Sequence, residues 1–351
     1  MKISSWQLLL ILFLSRLFTT ITFFSLDSFS AAILLPFCIS VFVEAVLFVP
    51  AILLYNKYPN ESLLISAFKI AKPFGVVLTI IYGVFLSFLV FKTLRFFLYF
   101  FSSTFGDLIP IVLVGVLLLI AAAFISYLGI QAAARSASVV FAFFVAILVI
   151  VLFATASDFE SVNYYTVPLS SGSLWQGISD GVSRSDEVVI LVLIMPYLRE
   201  KICKAVYGFL GAKLVIIEGI VICCMLLLGG YMSASPFSFF TMCKYANTAF
   251  IERLDAVYLF VWTCMGAIKL SLYSIALKPL YENAVTDKSR QLSLCCLPFI
   301  IGGIPALIFA YKNQMIIPFL DIHITFYAIL LLGFLLPLIV YLLRRCKREK
   351  N

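Results

Sequence analysis

Several charged and hydroxyl side chains stand where apolar ones would be expected. The segment Trp175-Gln176-Gly177-Ile178-Ser179-Asp180-Gly181-Val182-Ser183-Arg184-Ser185-Asp186-Glu187 holds two glycines, three serines and four charges. Arg16, Thr19 and Thr20 interrupt an apolar run near the amino terminus. Asp255, Trp262 and Lys269 are spaced by seven and line one helical stripe, which sets Lys269 about 21 Å along the axis from Asp255. Glu44 and Glu218 lie inside apolar runs. Carboxylates, an arginine and free backbone N–H and C=O groups at a helix break can hold a small zwitterion. Catalysis finds no such support: H-E-x-x-H, G-x-S-x-G and Walker patterns are absent, as is any C-x-x-C pair. His323 is the single histidine, so no Cys2His2 set can form, and neither metal nor cofactor is expected. The expectation is a protein that is not an enzyme.

The composition says what must position these groups. Of 351 residues 64% are apolar and 12% charged, with 35 Phe and 17 Tyr; soluble domains average roughly 45–50% and about 25%. A soluble domain of this size has too much water-facing area to hide so much apolar surface, so lipid is the expected solvent. A cytosolic enzyme, a disordered scaffold and a disulfide-stapled module are excluded. The nine cysteines read as small hydrophobes.

A membrane helix needs about 20 apolar residues. Runs at 5–24, 29–55, 74–100, 108–128, 136–155, 173–198, 205–231, 254–278, 291–311 and 320–343 give ten candidate spans in one membrane domain, 1–351. The first run begins after Lys2 and resembles a signal peptide, but another starts at once near Phe29, so it is kept as a span. With the amino terminus inside, the cytoplasmic segments hold 16 of the 25 basic residues, and the external ones only Lys244, Arg253 and Lys312. That asymmetry places both termini in the cytoplasm. The net charge of +8 is then a topology signal and a contact for anionic membrane lipid, not a nucleic-acid surface. Two external connections, roughly 156–172 and 232–253, are long enough for lids or for short helices filling gaps between spans.

The polar run at 173–187 makes a poor continuous lipid-facing helix, and non-helical backbone at membrane depth must be buried or line a wet cavity. One reading is a broken sixth helix; the other is an interfacial helix over 173–185, with the span starting near Glu187. Arg16 costs at least about 2.5 kcal/mol in lipid unless paired, so it should face inward toward Asp186, Glu187 or Glu44. Lys92, Arg95 and Lys213 are expected to snorkel, and Glu218 to have a partner. For the eighth span, an inward polar stripe and an interfacial Trp above a snorkelling Lys both remain open. Ten spans permit a five-plus-five inverted repeat, in which the first and sixth correspond.

Ile251-Glu252-Arg253-Leu254-Asp255-Ala256, then Trp262, then Ile268-Lys269 resembles the pattern of bacterial spore germination-receptor B subunits, permease-like members of the amino acid–polyamine–organocation superfamily. Ile3-Ser4-Ser5-Trp6-Gln7, Tyr58-Pro59 with Ser62-Leu63, and Gly129-Ile130-Gln131-Ala132-Ala133-Ala134-Arg135 follow in the same order. Gln131 stands where an acidic residue is common, and Arg16-Leu17-Phe18-Thr19 where a glycine usually marks the first break, as in a divergent member.

The resemblance implies an all-α, amino-acid-permease-like fold with broken helices 1 and 6 and a pocket between the first, third, sixth and eighth spans. It further implies detection of a nutrient, commonly an amino acid, in the spore inner membrane, with A-type and lipid-anchored C-type subunits as partners. On this reading Arg16, Thr19, Thr20, Ser183, Ser185 and Asp186 bind the ligand, and Glu44, Glu218, Trp262 and Lys269 form the buried polar set. The alternative is a secondary amino-acid transporter coupled to H⁺ or Na⁺.

Overall fold

The computed structural model describes residues 2–20, 34–106, 109–164, 170–235, 237–246, 253–279, 295–311 and 320–349. The expected span ends at 21–24, 29–33 and 291–294 lie outside these residues. So do Ile251 and Glu252 of the eighth-span motif and the loop charges Lys288, Arg290 and Lys312.

The described residues form helices: α1 (Ser5–Thr20), α2 (Leu34–Lys57), α3 (Leu63–Ile70), α4 (Lys72–Phe105), α5 (Ile111–Leu128), α6 (Ile130–Thr155), α7 (Ser171–Ser183), α8 (Glu187–Ile194), α9 (Ile202–Leu228), α10 (Ser238–Tyr245), α11 (Leu254–Ile275), α12 (Cys295–Tyr311) and α13 (320–349). Seven are long and apolar enough to cross a membrane: α2, α4, α5, α6, α9, α11 and the His323–Lys347 part of α13. The other three expected spans fall short by length. The sixth is divided into α7 and α8, α1 is described only as far as Thr20, and α12 only from Cys295.

Helices that are apolar all round belong in the interior. From Leu8 to Leu14, α1 is buried on every side, and so is all of α8. Around them α1 packs on α6, α8, α9 and α11. The outer helices show the opposite surface to a soluble protein: Leu113, Leu117, Ile120 and Phe124 of α5 and Phe143 and Phe153 of α6 are exposed. Together with the seven long apolar helices, this exposed belt identifies a membrane protein. Helix α5 passes to α6 through Gly129 alone, whose φ of +89° lies in the left-handed region that favours glycine.

Three π turns, at 213–217, 299–303 and 330–335, interrupt the regular ladder of α9, α12 and α13. In α13 the buried Tyr82 hydroxyl of α4 donates to the Leu332 carbonyl at 2.5 Å. In α12 the widened turn lies against α4 so closely that a Cβ at Gly302 would stand 2.1 Å from the Ser87 carbonyl oxygen. Of the two long connections, the described part 156–164 of the first bends back on α9, where the Glu160 N–H and Asn163 Nδ2 donate to Leu226 O at 3.1 and 3.0 Å. In 232–253, α10 buries Phe239, Phe240, Met242 and Cys243 against neighbours that include α9 and α11, so here the connection fills a gap between spans.

At the end that carries the basic loops, residue 3 forms an isolated parallel bridge with 198. The Ile3 N–H donates to Tyr197 O at 2.8 Å, and the Arg199 N–H to Ile3 O at 3.0 Å. Beside it Arg344 of α13 forks onto Glu61, with Nη2 3.0 Å from Oε1, and stacks over the Tyr58 ring at 3.7 Å. Lys347 caps α3 by donating to Lys69 O and Ile70 O. Burial pushes the Glu61 carboxyl up, but hydrogen bonds from Arg344 and Lys69 outweigh it and hold it down to about 2, from an ordinary 4.5.

Two outcomes follow. Gly302→Ala should destabilise the bundle by about 1–3 kcal/mol, read as a lower melting temperature in detergent. Because the folded value of Glu61 is depressed, its stabilisation is complete above about 4.5 and is lost as the pH falls toward 2. Glu61→Gln should therefore flatten the acid limb of the melting-temperature profile and leave its neutral shape unchanged.

A buried ionic site at the interruption between α7 and α8

The Ser- and Gly-rich composition of 177–185 gives weak helix propensity and offers hydroxyls that compete for backbone groups. The Ser183 hydroxyl bonds Asp180 O at 2.8 Å and the Ser185 hydroxyl bonds Gly181 O at 3.1 Å. Arg184 turns back on Asp180, with Nη2 2.7 Å from Oδ2. The Ser185 and Val188 N–H groups bond three residues back, to Val182 O and Ser185 O, and the helix is interrupted over 184–186. Both sequence readings place a break before Glu187, and the residues of the interruption are interior: Ser185 and Glu187 are fully buried and Asp186 is 4% exposed.

Asp186 is the hub. Its Oδ1 accepts from Lys269 Nζ at 2.9 Å, and its Oδ2 from the Tyr273 hydroxyl at 2.7 Å. Lys269 and Tyr273 are four apart and share a face of α11. The Tyr273 hydroxyl also meets Thr93 of α4 at 3.1 Å. Lys269 spends its other donors on Ser15 O at 3.1 Å and Ser15 Oγ at 3.2 Å. One carboxylate thus joins α1, α4, α11 and the start of α8. Glu187 is different: its Oε1 lies 3.8 Å from Lys269 Nζ, and among the described residues no group donates a hydrogen bond to either oxygen.

Arg16 faces inward, as expected, but not onto a carboxylate. Its guanidinium donates to Gly181 O at 2.9 Å and more weakly to Ser185 Oγ at 3.4 Å. The reason is local: Gly181 presents its carbonyl at the negative end of α7, and Lys269 already holds Asp186. Among the described residues Arg16 Nε and the buried Thr20 hydroxyl have no hydrogen-bond partner, while Thr19 Oγ1 bonds back to Arg16 O at 3.1 Å.

Lys213 does not snorkel. It is fully buried and ion-paired with the equally buried Glu44 of α2. It opens the π turn of α9, which shifts the register of the side chains that follow it. Glu218 has its expected partner in the Cys38 thiol, which donates at 2.7 Å. Arg95 is buried over the rings of Phe91 and Phe309 rather than snorkelling, and Lys92 bonds Thr325 at 3.0 Å.

Trp262 is 1% exposed and stacks on Phe18 at 4.7 Å and on Phe97 at 5.3 Å; its Nε1 donates to Phe18 O at 3.1 Å. Of the two readings of the eighth span, the inward stripe describes Trp262 and Lys269. Sequence reasoning missed Ser15, Thr93 and Tyr273. Only Tyr273 carried a signal, its spacing of four from Lys269.

Arg16, Lys213 and Lys269 therefore share the interior with Glu44, Asp186 and Glu187 and interact electrostatically. Removing one member of a buried pair is far worse than removing both. Lys213→Met should cost about 3–5 kcal/mol, and Glu44→Leu/Lys213→Met should recover most of that loss in detergent melting curves.

Searched against known families, residues 2–317 match the spore permease family, described as spore germination protein. No curated protein matches the chain. The matched stretch runs from the residue before Ile3 to beyond the end of α12, and it contains the interrupted helix with every residue of the ionic site. The chain belongs to the spore germination protein family.

Proposed function

We propose that this protein is the transporter-like subunit of a spore germinant receptor, which binds a small nutrient, an amino acid, and triggers germination. The observation that carries the reading is the interior placement of Arg16 and Asp186 on either side of the α7–α8 interruption. The ligand carboxylate would meet Arg16 Nε and the Thr20 hydroxyl, whose hydrogen-bonding capacity is unspent. Its ammonium would meet Asp186, and the hydroxyls of Thr19, Ser183 and Ser185 would complete the cradle as acceptors. Glu44, Glu218, Trp262 and Lys269 would set the arrangement of the bundle that the ligand favours. A ligand moves such an equilibrium only by its differential affinity.

The same reading takes α1, α7–α8, α12 and the seven long helices as ten spans of a five-plus-five repeat in one membrane domain, 1–351. Its first and sixth spans would be broken, both termini cytoplasmic and the membrane that of the spore interior. A-type and C-type receptor subunits are the proposed partners. The interrupted helix supports this reading, as does the family membership.

A second reading, a secondary amino-acid transporter driven by H⁺ or Na⁺, draws on the buried carboxylates Glu44 and Glu187, each with an oxygen that accepts no hydrogen bond. The two readings part in reconstituted vesicles. A sensor binds an amino acid without accumulating it under an imposed gradient; a transporter accumulates it. For either, Asp186→Asn should weaken binding about tenfold or more by calorimetry, which is about 1.4 kcal/mol. Unchanged affinity in that variant would remove Asp186 from the site.

A further inference from the structure

Each oxygen of the Asp186 carboxylate already accepts a hydrogen bond. Lys269 Nζ holds one oxygen at 2.9 Å and the Tyr273 hydroxyl holds the other at 2.7 Å. An incoming ammonium therefore meets a competitor of the same chemistry, attached to α11. The three N–H donors of that ammonium are all in use, on Asp186, Ser15 O and Ser15 Oγ. Lys269 cannot simply be expelled, because a buried ammonium without a carboxylate costs several kcal/mol.

A second carboxylate stands beside it. Glu187 Oε1 is 3.8 Å from Nζ, less than 1 Å beyond the Asp186 distance, and both Glu187 oxygens are buried and without a protein donor. The remaining charged groups around Glu187 are Arg16 of α1, Glu44 of α2 and Lys213 of α9, with Tyr273 on α11; the π turn of α13 that packs on α8 is wholly apolar. Arg16 is committed to Gly181 O, and Lys213 to Glu44. Among the described groups, Lys269 is the cation that can reach Glu187 by a small rotation while keeping Ser15.

We propose that Lys269 is a tethered occupant of Asp186 that crosses to Glu187 when the ammonium of a ligand takes its place. This rests on the reading above that an amino acid binds at the α7–α8 interruption. After the exchange each carboxylate holds a cation, Asp186 the ammonium of the ligand and Glu187 that of Lys269, so neither buried charge is left unmatched. The movement turns Lys269 along the first residues of α8 and so transmits ligand arrival to α11. Glu187 is then a positioning residue, needed for binding although the ligand never touches it.

The test is calorimetric titration of the purified full chain in detergent with the proteinogenic amino acids, for the wild type, Glu187→Gln, Lys269→Gln and the double variant. Glu187→Gln should weaken binding about tenfold or more in the wild-type background, and it should change affinity less than about twofold once Lys269 is Gln. An equal loss in both backgrounds would mean that Glu187 touches the ligand and would overturn the exchange. Wild-type binding left unchanged by Glu187→Gln would overturn it too, while leaving the binding reading intact.

Binding by Lys269→Gln where the wild type binds nothing would overturn the exchange, because Lys269 would then block Asp186 without crossing. Binding by neither would overturn this proposal and the reading beneath it together. Glu187→Gln is near-isosteric. If Lys269→Gln does not fold, wild-type and Glu187→Gln titrations with methylammonium and acetate decide the matter. Weakening confined to ligands that carry an ammonium supports the exchange, and equal weakening of acetate overturns it.

Discussion

A charge carried into hydrocarbon must find an opposite charge or a set of dipoles, and the centre of this bundle is arranged around that demand. Lys269, deep in α11, meets Asp186 at the α7–α8 interruption and the Ser15 backbone of α1. Tyr273 and Thr93 extend the same contact to α4. Beside the Trp262 bond to Phe18 O and the pairing at residue 3, the relative placement of these helices draws on the few atoms around one carboxylate. Dispersion packing of all-round apolar helices such as α1 and α8 fills the bundle but does not fix which face of each turns inward. The ionic contacts supply that register.

The irregularities of the backbone serve the same end. A π turn begins at Lys213, where α9 presents the lysine to Glu44. Another in α12 lets two backbones meet at Gly302, and a third in α13 releases a carbonyl that Tyr82 captures. In lipid, a backbone group set free by such a turn has no water to turn to, so each turn needs a protein partner nearby. The interruption at 184–186 follows this rule through the Ser183 and Ser185 hydroxyls and Arg16, which bond backbone carbonyls of α7.

Much of this was legible from residue types alone. The apolar runs located the long helices, because length and hydropathy are nearly sufficient in lipid. The glycine and serine content of 177–185 located the break, since those residues give weak helix propensity. Arg16 was legible as an inward residue from the cost of exposing it to hydrocarbon. Its partner was not: three carboxylates were available, and choosing among helix carbonyls and acids requires knowing how the helices turn about their axes. The burial of Lys213 escaped for a related reason, because a π turn changes side-chain direction without leaving a mark in hydropathy. Ser15 and Thr93 were silent, being ordinary hydroxyls in apolar runs.

The short strand pairing at residue 3 bears on how the bundle could open at its basic end. Ile3 exchanges two backbone hydrogen bonds with the segment that leaves α8, Ser5 reaches Lys201 O at 3.1 Å, and Tyr55 closes on Glu200 O at 2.7 Å. These contacts join α1, α2 and the exit from α8 below the ionic hub. The amino-terminal bridge thus acts as a seam that ties α1 to the exit from α8, so a relative movement of the two at this end must first break its hydrogen bonds.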